Sequence, residues 1–173
     1  MVMKLESMSK NIVSILESLS KNEELRRVLG LDVKNPYDRT KNPSPTAKEL
    51  LKEGGANQRL FPYPFDLEAT TLEGSFIRVY YNDFDFNSNE VIMESELHID
   101  IIVSKSLWTI NNGKESFIRP YDLASRVISL VGRRSVGGHR KIEFTGGTHM
   151  YVNTKFDCIR LYAKYFTPVD SGM

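Results

Sequence analysis

The chain of 173 residues has a single cysteine, Cys158. One cysteine excludes an intrachain disulfide, leaves little basis for a cysteine metal site and fits a reducing compartment. An excess of one charge is also missing, since 23 Lys and Arg stand against 22 Asp and Glu for a formal net charge of +1. That balance exerts no global pull toward nucleic acid or an anionic membrane. No apolar run reaches the length of a signal-peptide core or a membrane span. The expectation is a soluble protein, made and kept inside a cell or packaged from there. Catalytic signatures are lacking too: no serine sits in G-x-S-x-G, no H-E-x-x-H occurs, and neither nucleotide fingerprint is present.

What is there is architecture. Residues 91–104, V-I-M-E-S-E-L-H-I-D-I-I-V-S, alternate over their whole length. Val91, Met93, Leu97, Ile99, Ile101 and Val103 fall on one face, broken only by Ser95, while Glu94, Glu96, His98 and Asp100 line the other. Period two means a strand, and this one exceeds the five or six residues of a usual strand. One face belongs to a core and the other, polar and acidic, to water or a partner.

The rest of the chain can be placed around that strand. Residues 8–19 carry an apolar helical stripe of Ile12, Ile15, Leu16 and Leu19. Asn22 is placed to cap a second helix over 23–29, with Glu23 and Glu24 in its first turn and Gly30 at its end. Two helices and one helix kinked at 20–22 fit equally. Residues 31–72 hold five of the seven prolines and the Gly54 and Gly55 pair. This reads as an extended arm, with helical character only at 46–52. Its Leu60, Phe61, Tyr63 and Phe65 give it surface to pack on its own domain or on a neighbouring subunit.

Residues 76–84 form a first strand and 83–90 the turn into the long one. Asn111, Asn112 and Gly113 make a further turn. Pro120 opens a helix striped by Leu123, Ala124, Val127, Leu130 and Val131 and ended by Gly132. A hairpin turning at Gly146 and Gly147 follows, because both residues tolerate positive φ. Residues 153–155 make the next turn, and a last strand over 159–165 is ended by Pro168. The whole is one α+β domain: helices over 1–30, the arm over 31–72, and over 73–168 an antiparallel or mixed sheet of about four or five strands. A central helix spans 120–131, and the helices lie on one face.

Three constellations have chemical readings. Glu96, His98 and Asp100, helped by Asp83 or Asp85, could hold a divalent ion for hydrolysis. A row on one straight strand diverges, however, and a solvated or subunit-facing side is the simpler account. The loop 132–141 places Arg133, Arg134, Arg140 and Lys141 within nine residues, suited to phosphate or nucleic acid or simply a charged connection. Trp108, Arg119 and Tyr121 concentrate aromatic and cationic groups, which anchor interfaces and equally fill a strand-to-helix corner. Phe61, Tyr63 and Phe65 are the arm's interface candidates. Cys158 reads as a small buried residue rather than a nucleophile. No metal or cofactor is expected.

N-E-E-L-R-R-V-L-G followed by K-N-P, then E-L-H-I-D-I-I-V-S-K-S-L-W-T-I, I-R-P-Y-D-L-A-S-R-V, G-G-H-R-K-I-E-F and Y-V-N with L-Y-A-K-Y, resemble a family of small tailed-bacteriophage proteins encoded between head and tail genes. The resemblance runs from about Asn22 to Phe166. In fold order the chain is also similar to tail terminator, or tail completion, proteins of long-tailed phages. That resemblance implies a non-enzymatic virion component assembled in the host cytoplasm, a ring-shaped homo-oligomer, typically six-fold, that caps the tail tube and joins it to the head connector. It implies the tail tube and connector proteins as partners, transient contact with DNA passing through the channel, and no membrane. The alternative is a nucleic-acid-binding module using the 132–141 loop.

Overall fold

The computed structural model describes residues 4–66, 72–136 and 141–166. Among them are four α-helices, a five-stranded sheet and a two-stranded one, an α+β architecture. Helix α1 (Leu5–Ser20) buries Met8, Ile15, Leu16 and Leu19 along one stripe. A separate helix α2 (Glu23–Gly30) follows, because Asn22 Oδ1 accepts the Leu25 N–H at 2.8 Å and stops α1 from running on. Helix α3 (Ala47–Leu51) starts in a reciprocal capping box between Thr46 and Glu49.

The main sheet contains β1 (Leu60–Phe61), β2 (Ser75–Phe86), β3 (Ile92–Ser104), β6 (Lys141–Tyr151) and β7 (Phe156–Phe166), in the order β1-β2-β3-β7-β6. All neighbours are antiparallel except β1, which runs parallel to β2. Between β3 and β6 lie a 3-10 turn (Lys105–Leu107), the small hairpin β4 (Thr109–Asn111) and β5 (Ser116–Ile118), and helix α4 (Arg119–Val131). Pro120 stands in the first turn of α4 and Gly132 caps its end.

The helices pack on one sheet face. Ile77, Val79, Leu97, Ile99, Ile101, Ile159 and Leu161 join Ile15, Leu19, Leu25, Val28, Leu123 and Val127 in one core. The alternation of the long strand is thus realised as a buried stripe from Leu97 to Val103. Its other face is only partly polar surface. Glu94 and Glu96 are exposed, but His98 and Asp100 are each 3% exposed, and Ile102 packs with Phe76, Phe156 and Cys158 in a second cluster.

One expectation is corrected. Gly146 and Gly147 do not turn the chain. They lie inside β6, beside a bulge between Phe144 and Gly146, and neither adopts positive φ. A Cβ on Gly147 would stand 3.0 Å from the Arg160 carbonyl, so glycine serves close strand approach here. The hairpin between β6 and β7 turns at 153–155, where the sequence places its next turn; the Asn153 side chain accepts the N–H groups of Lys155 and Phe156.

The arm over 31–72, in its described part, is not free. Arg27, 1% exposed, donates to the carbonyls of Pro36, Asp38 and Asn42 and to Ser44 Oγ, which cinches the proline-rich loop against α2. Leu50 and Leu60 are in the core. The arm packs on its own domain. Residues 67–71 and 137–140, and Pro168 beyond the last strand, lie outside the described residues.

Candidate functional site

The sheet face away from the helices carries a charged network. Register places Arg78, Asp100, Arg160 and Thr148 in one row across β2, β3, β7 and β6. Arg160 grips Asp100 with Nε–Oδ1 2.7 Å and Nη2–Oδ2 2.9 Å, and the Tyr80 hydroxyl donates to Asp100 Oδ2 at 2.7 Å. Burial, with the Asp100 carboxylate beside it, pushes the Tyr80 phenol well above its ordinary range, and the same carboxylate raises Arg160. Such a bidentate, fully bonded group holds three strands in register. Asp100 is therefore occupied by its own chain.

One row further along, the His98 ring lies edge-on to Tyr80 and Tyr162, with Nε2 2.5 Å from Glu96. The groups weighed as metal ligands, Glu96, His98 and Asp100, do not converge, and the described residues contain no cluster able to hold a metal ion.

Arg78, 4% exposed, is covered by the arm: its guanidinium lies 3.6 Å from the Phe61 ring centroid, 5.1 Å from Tyr63 and 5.4 Å from Phe65. Its Nε and Nη1 lack a hydrogen-bond partner, and desolvation lowers its pKa, opposed by Tyr63 and Asp66. Phe61 and Phe65 are thus spent on this cation and on Phe76, while Tyr63 remains 45% exposed.

Arg119 is fully buried. It donates to the carbonyls of Leu107, Val28, Leu31 and Val33, and burial lowers its pKa to about 10. As an interface candidate it is corrected: it satisfies the orphan carbonyls at the end of α2 and presents nothing outward. Trp108 packs on the core and stacks on His149, which reaches Asp157 at 3.1 Å. Tyr121 is 54% exposed. It borders a shallow groove of about 510 Å³ between α4 and β6, lined also by Ala124, Ile128, Gly147 and Leu161.

Arg133 and Arg134 are exposed just after α4, with Arg133 held at φ +54° and its N–H bonded to the Ile142 carbonyl. Lys141 opens β6 beside them, and Arg140 lies outside the described residues. At the same end of the sheet, β2 and β3 continue as a two-stranded ribbon. There Asp83 faces Glu96 and Asp85 faces Glu94.

Sequence reasoning missed Tyr80, Arg78 and Arg160, because nothing local links residues that only strand register brings together. It missed the α4–β6 groove because a turn was expected at Gly146 and Gly147, the second of which lines it.

The molecule is an α+β domain whose exposed features are a charged sheet end, an outer strand edge and a shallow groove. Residues 22–165 match the YomW family model, and the chain belongs to that family, which is phage-associated. A comparison with curated proteins finds no match.

Proposed function

We propose that this chain is a structural virion protein of the phage neck, a tail terminator or a closely related head-to-tail joining protein, acting by assembly into a ring. The observation that supports this best is the outer edge of β6. From Thr145 to His149 the strand is exposed, and outside two isolated bridges near its start no described strand pairs with that edge. Unpaired backbone groups on a strand edge are a template for another chain. The apolar groove beside it, with Tyr121 and Ile128 exposed on α4, adds surface of the kind that subunits bury.

The opposite flank of the sheet is built differently, so self-association through these flanks is heterologous, the kind of contact that makes a ring when its rotation closes. The resulting ring would sit on the tail tube, meet the head connector and let DNA pass, with tube and connector proteins as partners. Assembly takes place in the host cytoplasm, and the role is mechanical rather than catalytic.

Light scattering of the purified protein should report a discrete oligomer. Added to polymerising tail tubes, it should arrest them at an end. A protein that stays monomeric at high concentration and leaves tubes unaltered would falsify the proposal.

A further inference from the structure

The ribbon formed by the far ends of β2 and β3 breaks a rule of sheet construction. Asp83 lies directly opposite Glu96, and Asp85 opposite Glu94. Like charges facing across neighbouring strands destabilise the pair. Glu90 adds a fifth carboxylate at the tip, and no Lys or Arg occurs between Val79 and Ser104. Asp83, Asp85, Glu90 and Glu94 make no ion pair with any described residue, and Glu96 meets only His98. Phe84 and Phe86, 38% and 49% exposed, stack edge-to-face on the same ribbon.

The ribbon also stands away from its own sheet. Pairing of β3 with β7 ends at Leu97 and Ala163, although β3 continues back to Ile92 and β7 on to Phe166. A cleft of about 420 Å³ opens between them, bordered by Glu94, Glu96, Thr145 and Lys164. Such a projecting, self-repelling element gains from a cation outside the chain.

The same molecule has that cation. Arg133 and Arg134 are exposed, with no ion pair to a described residue, and Lys141 adjoins them at the start of β6. Both charged groups lie at one end of the sheet, on opposite flanks, with β7 and β6 between them. They do not meet within one copy.

We propose that the acidic β2–β3 ribbon of one copy docks on the Arg133, Arg134 and Lys141 corner of the next. This inference rests on the ring reading and names the surfaces that close it. Opposite charge on the two flanks makes the contact directional, which a heterologous ring needs. Phe84 and Phe86, exposed on the ribbon's other face, add apolar area beside it.

The test is a charge swap read by light scattering and native mass spectrometry. D85K/E94K replaces one like-charge pair by another and so spares the ribbon's own fold, checked by an unchanged thermal midpoint. R133E/R134E reverses the other side. Each variant alone should shift to monomer, with self-affinity down at least about tenfold. An equimolar mixture of the two should assemble again, because Lys introduced at 85 and 94 of one variant then meets Glu introduced at 133 and 134 of the other, while the unaltered ribbon and the unaltered basic corner form the alternate contact.

Oligomers that survive both reversals would overturn the docking while leaving the ring reading in place. So would a mixture that fails to reassemble. Stoichiometric calcium or magnesium binding to wild type, lost in D85K/E94K with assembly unchanged, would show that the ribbon answers to a metal instead. A wild-type protein that is monomeric throughout would end the ring reading, and the docking with it.

Discussion

Buried and half-buried arginines carry much of this structure, and they are satisfied in three ways. Arg27 and Arg119 meet mostly backbone carbonyls, Arg160 meets a carboxylate, and Arg78 meets ring faces. A guanidinium suits all three because it is planar, multiply donating and weakly hydrated for a cation. Cys158 illustrates the opposite chemistry. It is 2% exposed, and burial pushes its thiol from an ordinary 9.0 up to about 12. Below pH 9 the folded and unfolded chains both keep this proton. Between about 9 and about 12 the unfolded chain releases it while the folded chain holds it, so stability falls as pH rises. Cys158→Ala should therefore flatten the alkaline decline. Urea melts at pH 8, 9 and 10 should show wild type losing about 1 kcal/mol more than the variant between pH 9 and 10, and much less between pH 8 and 9. Equal slopes would refute the assignment.

At the scale of elements, the proline-rich arm depends on Arg27, which holds the carbonyls of Pro36, Asp38 and Asn42 from the body of α2. Arg27→Met keeps the apolar stem and removes the donors. The loop over 36–44 should then open locally and be cut by protease much faster than wild type, while the sheet stays protected. Orphaning these carbonyls should cost about 3 kcal/mol in all, read from denaturant midpoints; an unchanged cleavage pattern would show that the loop is held by other contacts. Strand β6 was the hardest element to place. Its edge location, its bulge and its two glycines follow from pairing with β7, which no local pattern announces.

For the whole molecule, the family match begins at Asn22, yet the core does not. Ile15 and Leu19 of α1 are fully buried with Ile77 and Val79. Burying one such side chain contributes about 1.5–3 kcal/mol, and a whole domain holds only about 5–15 kcal/mol in reserve. A chain starting at Asn22 should lose its cooperative thermal transition in calorimetry. A sharp transition within a few degrees of wild type would instead make α1 an accessory to the fold.

Short-range physics was enough to reveal the long strand, the Asn22 cap, the Pro120 start of α4 and the α+β class, because side-chain period and capping depend on residues within a turn or two. Pairing partners sixty or more residues apart were decided only by the assembled sheet. So were the fate of Gly146 and Gly147, the enclosure of His98 and Asp100, and the burial of Arg119. The reason is that strand register and desolvation are properties of neighbours in space, and a linear pattern of polar residues reads alike whether water or an arginine from another strand satisfies it.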